Sequence, residues 1–472
     1  MPGEIDLLTI NGGMVIAPAG CGKTQLITDA LGAHGNIKPI LVLTHTNSGV
    51  AALKMRLDRS QVPANKYRLS TIDGWAIRLI NMFPERAGHD PTIVSKQRPN
   101  YPAIREAAFR LLKSTNVSDV IAASYSRLLV DEYQDCSVRQ HAVVYYAAKV
   151  LPTCVVGDPL QGIFDFSADD KICDWAKHAC THFPQAGELS TPWRWNNAGA
   201  PNLGAWLLEA RKCLLAGQPV DLSKAPAEVT WIKLSGGKDD FEAMIKAGRV
   251  NPPGSKGSVL IVSDSKSPPT QQRVASAIPG AITVEAVDLR DLVKFAEALN
   301  LGSPKVVSVV AEFAESLMTN VGSADLIKRI ETLQQGRARR AASEVEEAAM
   351  ALSREPTLPQ VLNLLVSINK EAGVRTYRPA ILRGCIRALE TASGQNVTFH
   401  EAAIRVREQG RAVGRVITGR AVGSTLTLKG LEADVAVVLD GEAHNTRNLY
   451  VAMTRGAKRL VICSRKAVLS PS

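Results

Sequence analysis

LLVDEYQD, residues 128–135, is an apolar run that ends in two adjacent carboxylates, Asp131 and Glu132, with Gln134 and Asp135 directly behind them. The run has the length and composition of a buried strand. In an open parallel sheet, ligands gather outside the carboxyl ends of the strands, and that is where this run leaves its acids. Asp131 is therefore expected to hold Mg²⁺, through water, and Glu132 to polarise an attacking water as general base. A solvated turn can carry the same cluster, so the reading depends on a phosphate site elsewhere in the chain.

Residues 14–24, MVIAPAGCGKT, supply that site. MVIA reads as a short buried strand, PAGCG as a tight turn, and KTQLITDALGAH as the helix that follows. Strand, glycine-rich turn and helix give a G-K-T match its mechanism. Backbone N–H groups of Ala19, Gly20, Cys21 and Gly22, with Lys23, Thr24 and Gln25 at the helix start, would wrap the phosphates of a nucleotide. Lys23 would reach the β- and γ-phosphates, and the Thr24 hydroxyl would join Asp131 on Mg²⁺. The general pattern places glycine six residues before the lysine, where this chain has Ala17.

A second apolar run, TCVVGDPLQGIFDF at 153–166, ends in Asp158 and Gln161. Gln161 is a candidate γ-phosphate sensor. Phe164 and Phe166 alternate beyond it, as core residues or as platforms on which bases stack.

Bulk properties frame these motifs. The chain has 472 residues, enough for two to four domains, with 45% hydrophobic and 21% charged residues. No apolar run reaches the length needed to span a bilayer. The segment MPGEIDLLTINGG lacks the features of a signal peptide, so a cytoplasmic protein with no membrane partner is expected. The eight cysteines include no C-x-x-C pair, which points away from zinc sites and a disulfide framework. A net charge of +11 fits either a solvated basic surface or a nucleic-acid partner.

The order and wording of the motifs resemble the superfamily 1A helicases of the UvrD/Rep/PcrA group. APAGCGKT resembles motif I, and VLTHTNSGVAALKMRL (42–57) resembles motif Ia. STIDGWAIRL (70–79) resembles the next DNA-contacting segment. VDEYQD is similar to motif II, VVGDPLQGIFDF to motif III and LSTPWRWN (189–196) to motif IV. GSTLTLKGLEADVAVVL (423–439) resembles motif V, and NLYVAMTRGAKRLVIC (448–463) motif VI.

The resemblance implies an α/β fold: two RecA-like parallel-sheet cores with ATP and Mg²⁺ bound between them, a helical insertion in the second core and a reduced one in the first. It implies that Thr46, Asn47 and Thr71 touch the DNA backbone and that Phe164 and Phe166 meet bases. Arg194 and Arg455 match arginines that reach the γ-phosphate. Lys429 and Glu432 match the motif V loop that couples nucleotide to DNA, with Lys429 on the DNA side and Glu432 meeting the sugar or bracing the loop. Tyr450 matches a tyrosine expected to be structural.

The chain departs from the family in places. No glutamine precedes Lys23 to read adenine. Leu426 replaces a histidine of motif V, Trp193 a tyrosine of motif IV, and Asp73 and Gly74 a histidine and serine.

By pattern, residues 1–200 form the first core, with a small insertion at about 80–120. Residues 201–285 open the second core, 286–410 form the helical insertion, and 411–472 complete the second core. The clusters Arg337, Arg339, Arg340 and Arg405, Arg407, Arg411, Arg415, Arg420 are solvated helix faces or binding surfaces for duplex or a partner. The expected activity is ATP-driven 3′→5′ translocation on single-stranded or tailed DNA. The alternative is a nucleic-acid-sensing regulatory ATPase bound to a partner nuclease, resembling the short UvrD-like subunits of Gabija-type antiphage systems.

Overall fold

The computed structural model describes residues 5–95, 99–164, 170–254, 257–263, 267–286, 288–395, 397–410 and 419–471. Phe166, Arg411 and Arg415 lie outside them.

Short runs rich in Val, Leu and Ile become the strands of two parallel sheets. The first contains β1 (Gly12–Ile16), β2 (Ile40–Thr44), β3 (Tyr67–Thr71), β4 (Arg127–Val130), β5 (Thr153–Gly157) and β6 (Gln185–Glu188). Their order is β3-β2-β4-β5-β1-β6. After the two-residue β7 (Val220–Asp221) come β8 (Val229–Lys233), β9 (Val259–Val262) and β10 (Ala281–Thr283). β11 (Met318–Thr319) and β12 (Arg375–Thr376) form a small antiparallel pair. β13 (Arg420–Gly423), β14 (Ala433–Val438) and β15 (Gly456–Ser464) complete the second six-stranded sheet, in the order β10-β13-β9-β14-β15-β8. β16 (Val468–Leu469) pairs with β7. Two parallel sheets surrounded by helices are the RecA-like α/β architecture that the motif order implies.

The chain packs as two units, Met1–Lys233 with Asp440–Ser472, and Leu234–Leu439. In the first unit, strand alternation feeds two apolar layers. Met14, Leu41, Leu43, Leu128 and Val130 enter one, and Val15, Ile40, Val42, Leu129 and Val156 the other. A parallel sheet covered on both faces needs such near-continuous apolar strands. Each fully buried Leu, Ile or Val contributes about 1.5–3 kcal/mol. Between β3 and β4 the described residues form five helices, Ile72–Met82, Pro84–Ala87, Thr92–Ser95, Tyr101–Lys113 and Ser118–Ser124.

The second unit holds β9, β10, β13 and β14 and a helical body with its own core, in which Phe295 and Phe313 stack 3.7 Å apart. Between Ser323 and Arg354 the helical run is interrupted. Helix Ser323–Gln334 ends before Gly336, at φ 66°, and helix Glu344–Arg354 restarts behind a Ser343–Glu346 capping box. Glycine tolerates the left-handed backbone, and the box satisfies the new helix's first amides. Arg337, Arg339 and Arg340 therefore sit in a break between helices.

Candidate nucleotide and nucleic-acid site

The turn after β1 is anchored on both sides. Ala17 N–H donates to the Gly157 carbonyl at 2.8 Å, and Arg194 N–H donates to the Gly20 carbonyl at 3.0 Å. Gly20 and Gly22 have φ of 71° and 92°, and a Cβ at Gly20 would lie 2.5 Å from the Trp195 ring. The turn therefore needs glycine for both conformation and close approach. Helix Lys23–Ala33 starts at Gly22, so its free amides face the end of the sheet.

Lys23 is the centre of charge. Its Nζ lies 3.2 Å from Asp131 Oδ1 and is also paired with Glu132. Burial opposes the ammonium charge, but Asp131 and Glu132 outweigh it and raise the Lys23 pKa. Burial likewise pushes the Asp131 carboxyl up, against the pull of Lys23. Glu132 follows β4 with φ 55°, a left-handed conformation that costs a side-chain-bearing residue on the order of 1–3 kcal/mol. Such strain, held by the surrounding hydrogen bonds, aims a side chain.

Those bonds run through Gln134. Its Nε2 donates to Glu132 Oε2, and its Oε1 accepts from the Asp158 N–H at 3.0 Å. A Cβ at Gly157 would lie 2.6 Å from that Oε1, so glycine there leaves room for the amide. Asp158 is fully buried. Gln161 Nε2 donates to its Oδ2 at 3.1 Å, while Arg211 donates to Oδ1 from Nε at 3.3 Å and from Nη2 at 3.1 Å. Arg211 also donates to Glu188 at 2.8 Å. Asp158, at the end of the second apolar run, is an internal anchor for the residue proposed as sensor.

Helix Thr446–Met453 and Arg455 belong to the same unit. Tyr450, buried, accepts the Ala19 N–H on its hydroxyl at 3.1 Å, which makes it a strut to the phosphate turn. Arg194 Nη1 donates to the Thr454 carbonyl at 2.5 Å, and Trp195 Nε1 donates to the Gly456 carbonyl at 2.8 Å. Arg455 is buried and donates to the Val451 carbonyl at 2.8 Å and to Thr454 Oγ1 at 3.1 Å. Thr24 is half-buried at the helix start. Gln25 is exposed; its side chain donates to Asp29 and accepts from Arg56.

Among the described residues no three His, Cys, Asp or Glu side chains converge to form a metal cage. The Thr24 hydroxyl and the buried Asp131 carboxylate are hard oxygen donors. Such a set fits Mg²⁺, which is bound through one or two carboxylates together with substrate phosphates.

Three of the residues expected at DNA, Thr46, Asn47 and Thr71, lie at the ends of β2 and β3. Thr44 and Thr71 are in register across these strands. Thr46 caps helix Asn47–Arg59, accepting the Gly49 N–H at 3.0 Å, and Thr71 caps helix Ile72–Met82, accepting the Gly74 N–H at 2.9 Å. Asn47 is exposed at the first helical position. Two helix N-termini side by side, each with a threonine hydroxyl, form an arrangement suited to phosphates. Phe164 is half-buried, with its ring 5.1 Å from that of His45. Lys429 and Glu432 lie in the second unit, between helix Thr425–Leu428 and β14, where Gly430 has φ 79°.

Gln134 and Arg211 were not among the residues expected in the site. Arg211 carried a legible signal: it shares the buried face of helix Pro201–Leu215 with Leu207, Ala210 and Leu214. An arginine on an apolar face requires a carboxylate.

A phosphate turn, a strand-end acid pair and two parallel sheets define a phosphate-loop NTPase with RecA-like cores. The family model for the UvrD/REP helicase N-terminal domain matches residues 103–174, which include Asp131, Glu132, Asp158 and Gln161. The match covers part of the first unit and, together with the two parallel sheets, supports a UvrD/Rep-like superfamily 1A helicase. None of the curated proteins matches the chain. Among the described residues no helix is long and apolar enough to cross a membrane.

Proposed function

We propose that this chain couples ATP hydrolysis to 3′→5′ movement along single-stranded DNA. The observation that carries the proposal is Lys23 held between Asp131 and Glu132 at the phosphate turn. Mg²⁺, held by Thr24 and Asp131 with the nucleotide, would shield the phosphate charge. Lys23 and the amides of residues 19–24 orient the phosphates. Glu132, aimed by Gln134, takes the proton of the attacking water. Gln161 reports on the γ-phosphate to the Asp158–Arg211 anchor, and Arg194 and Arg455 stabilise the charge that develops there. In related phosphoryl transfer an arginine of this kind is worth on the order of 10³–10⁵ in rate. Thr46, Asn47, Thr71 and Phe164 hold the strand, and Lys429 of the second unit is a further DNA contact.

ATP turnover with and without oligo(dT) tests this reading, repeated with Lys23→Ala and Glu132→Gln. Strong stimulation is expected, lost in both variants; a lack of stimulation, or variants at full rate, ends the motor reading. Displacement from 3′-tailed against 5′-tailed duplexes reads the direction. The short helical segment between β3 and β4 also supports a second reading, a regulatory ATPase bound to a nuclease. DNA-stimulated turnover without strand displacement by the isolated chain favours it.

A further inference from the structure

Asp73 replaces a histidine of the related helicases in the segment expected to touch DNA. It stands in the first turn of helix Ile72–Met82, beside the Thr71 cap. A bare carboxylate there would repel the phosphates that a helix N-terminus otherwise favours. The charge is not bare. Arg105 donates to Asp73 from Nε at 2.7 Å and from Nη2 at 2.6 Å, in the two-pronged geometry of a guanidinium on a carboxylate. Gln140 Nε2 adds a third donor to Asp73 at 3.0 Å. The remaining prong of Arg105, Nη1, pairs with buried Asp170. Asp170 begins the stretch that runs back along the end of the acidic motif, where Val138 N–H donates to the Lys171 carbonyl at 2.9 Å and Cys173 N–H to the Cys136 carbonyl at 2.8 Å. The guanidinium therefore joins the first turn of the Thr71 helix to the chain that resumes beyond Phe164.

We propose that Arg105 is a positioning residue of the DNA site: it cancels the Asp73 charge and fixes the Thr71 helix end against the Asp170 segment. The inference rests on the reading of Thr71 as a phosphate contact. It makes Asp73 and Arg105 an exchange unit, an internal ion pair standing where related chains use a histidine.

The test is the affinity of the full chain for dye-labelled oligo(dT), by fluorescence anisotropy at low ionic strength, with thermal melting as the folding control. Arg105→Gln exposes the Asp73 charge and is expected to weaken binding by roughly tenfold. Asp73→Asn removes a negative charge beside the Thr71 cap while Arg105 keeps its pair with Asp170, and is expected to tighten binding by about threefold. The double variant Arg105→Gln/Asp73→Asn is expected to return near the wild-type value. A purely structural role for Arg105 would give no rescue, because the double variant lacks the same bonds. Asp73→Asn binding no more tightly than wild type overturns the proposal, and this arm decides even where Arg105→Gln fails to fold. A double variant as weak as Arg105→Gln overturns it too. Wild-type protein that does not bind oligo(dT) removes the Thr71 reading itself, and the inference falls with it. Wild-type binding with unmoved variants removes the inference alone.

Discussion

Gln134 has both ends of its amide committed, one to Glu132 and one to the Asp158 N–H. No other side chain of similar size offers a donor and an acceptor in that order, so the residue is defined by bonding and not by volume. Gln134→Leu keeps the bulk and removes both functions. The Asp158 N–H loses its acceptor in a buried site, at a cost of about 1–3 kcal/mol. Glu132, held in a left-handed backbone, loses the donor that aims it. Single-turnover hydrolysis is expected to slow by about tenfold to a hundredfold, within the 10²–10⁴ contributed by a general base, while nucleotide affinity holds. An unchanged rate constant would show that Glu132 is aimed by other contacts.

At the scale of elements, helix Val138–Ala148 is tied into the acidic motif by a histidine. Tyr133, the residue after Glu132, lies with its hydroxyl 2.5 Å from His141 Nδ1, and His141 Nε2 lies 2.9 Å from His182 Nδ1. Burial, then the neighbouring His182 and His178, lowers the His141 pKa from 6.5 to about 4. The native state therefore refuses a proton that the unfolded chain accepts below about pH 6.5. Stability is at its full value above that pH and falls as the pH drops toward 4, by about 3 kcal/mol from this group. His141→Phe should flatten the pH dependence of the melting temperature between pH 6.5 and 4. A profile as steep as wild type assigns the loss to carboxylates instead. This helix also marks the limit of what the sequence discloses. The strand–turn–helix at 14–33 and the strand-end acids were legible because their chemistry is local: apolar run, glycine turn, charged end. The Tyr133–His141–His182 chain, the Arg211 anchor and the Arg105 pair join residues far apart in sequence, with no pattern to announce them. Only the misplaced charges, Arg105 and Arg211 on apolar helix faces, hinted at hidden partners.

Over the whole molecule, the two parallel sheets followed from alternating apolar runs and helical periods, because each buried strand advertises itself within a few residues. The break near Gly336 did not, since good helix formers surround a glycine whose backbone is set by packing. Net charge was legible as a sum, +11, but a sum does not say which charges meet DNA. The proposed DNA contacts are of two kinds. Threonine hydroxyls and helix-end amides at Thr46 and Thr71 are neutral, and would bind phosphate without releasing a counterion through a charge of their own. Lys429, in the second unit, is ionic. On single strands, each phosphate neutralised by a cation contributes about −0.7 to the slope of log affinity against log salt. Lys429→Ala is therefore expected to reduce the steepness by about 0.7. Thr46→Val is expected to weaken oligo(dT) binding by about tenfold, or 1.4 kcal/mol, and to leave the slope where it was. Affinities measured across a salt series check both. A slope that moves with Thr46→Val would mean that a cation follows the threonine. A slope untouched by Lys429→Ala would take Lys429 off the path of the strand and leave the general basic surface to draw the DNA in.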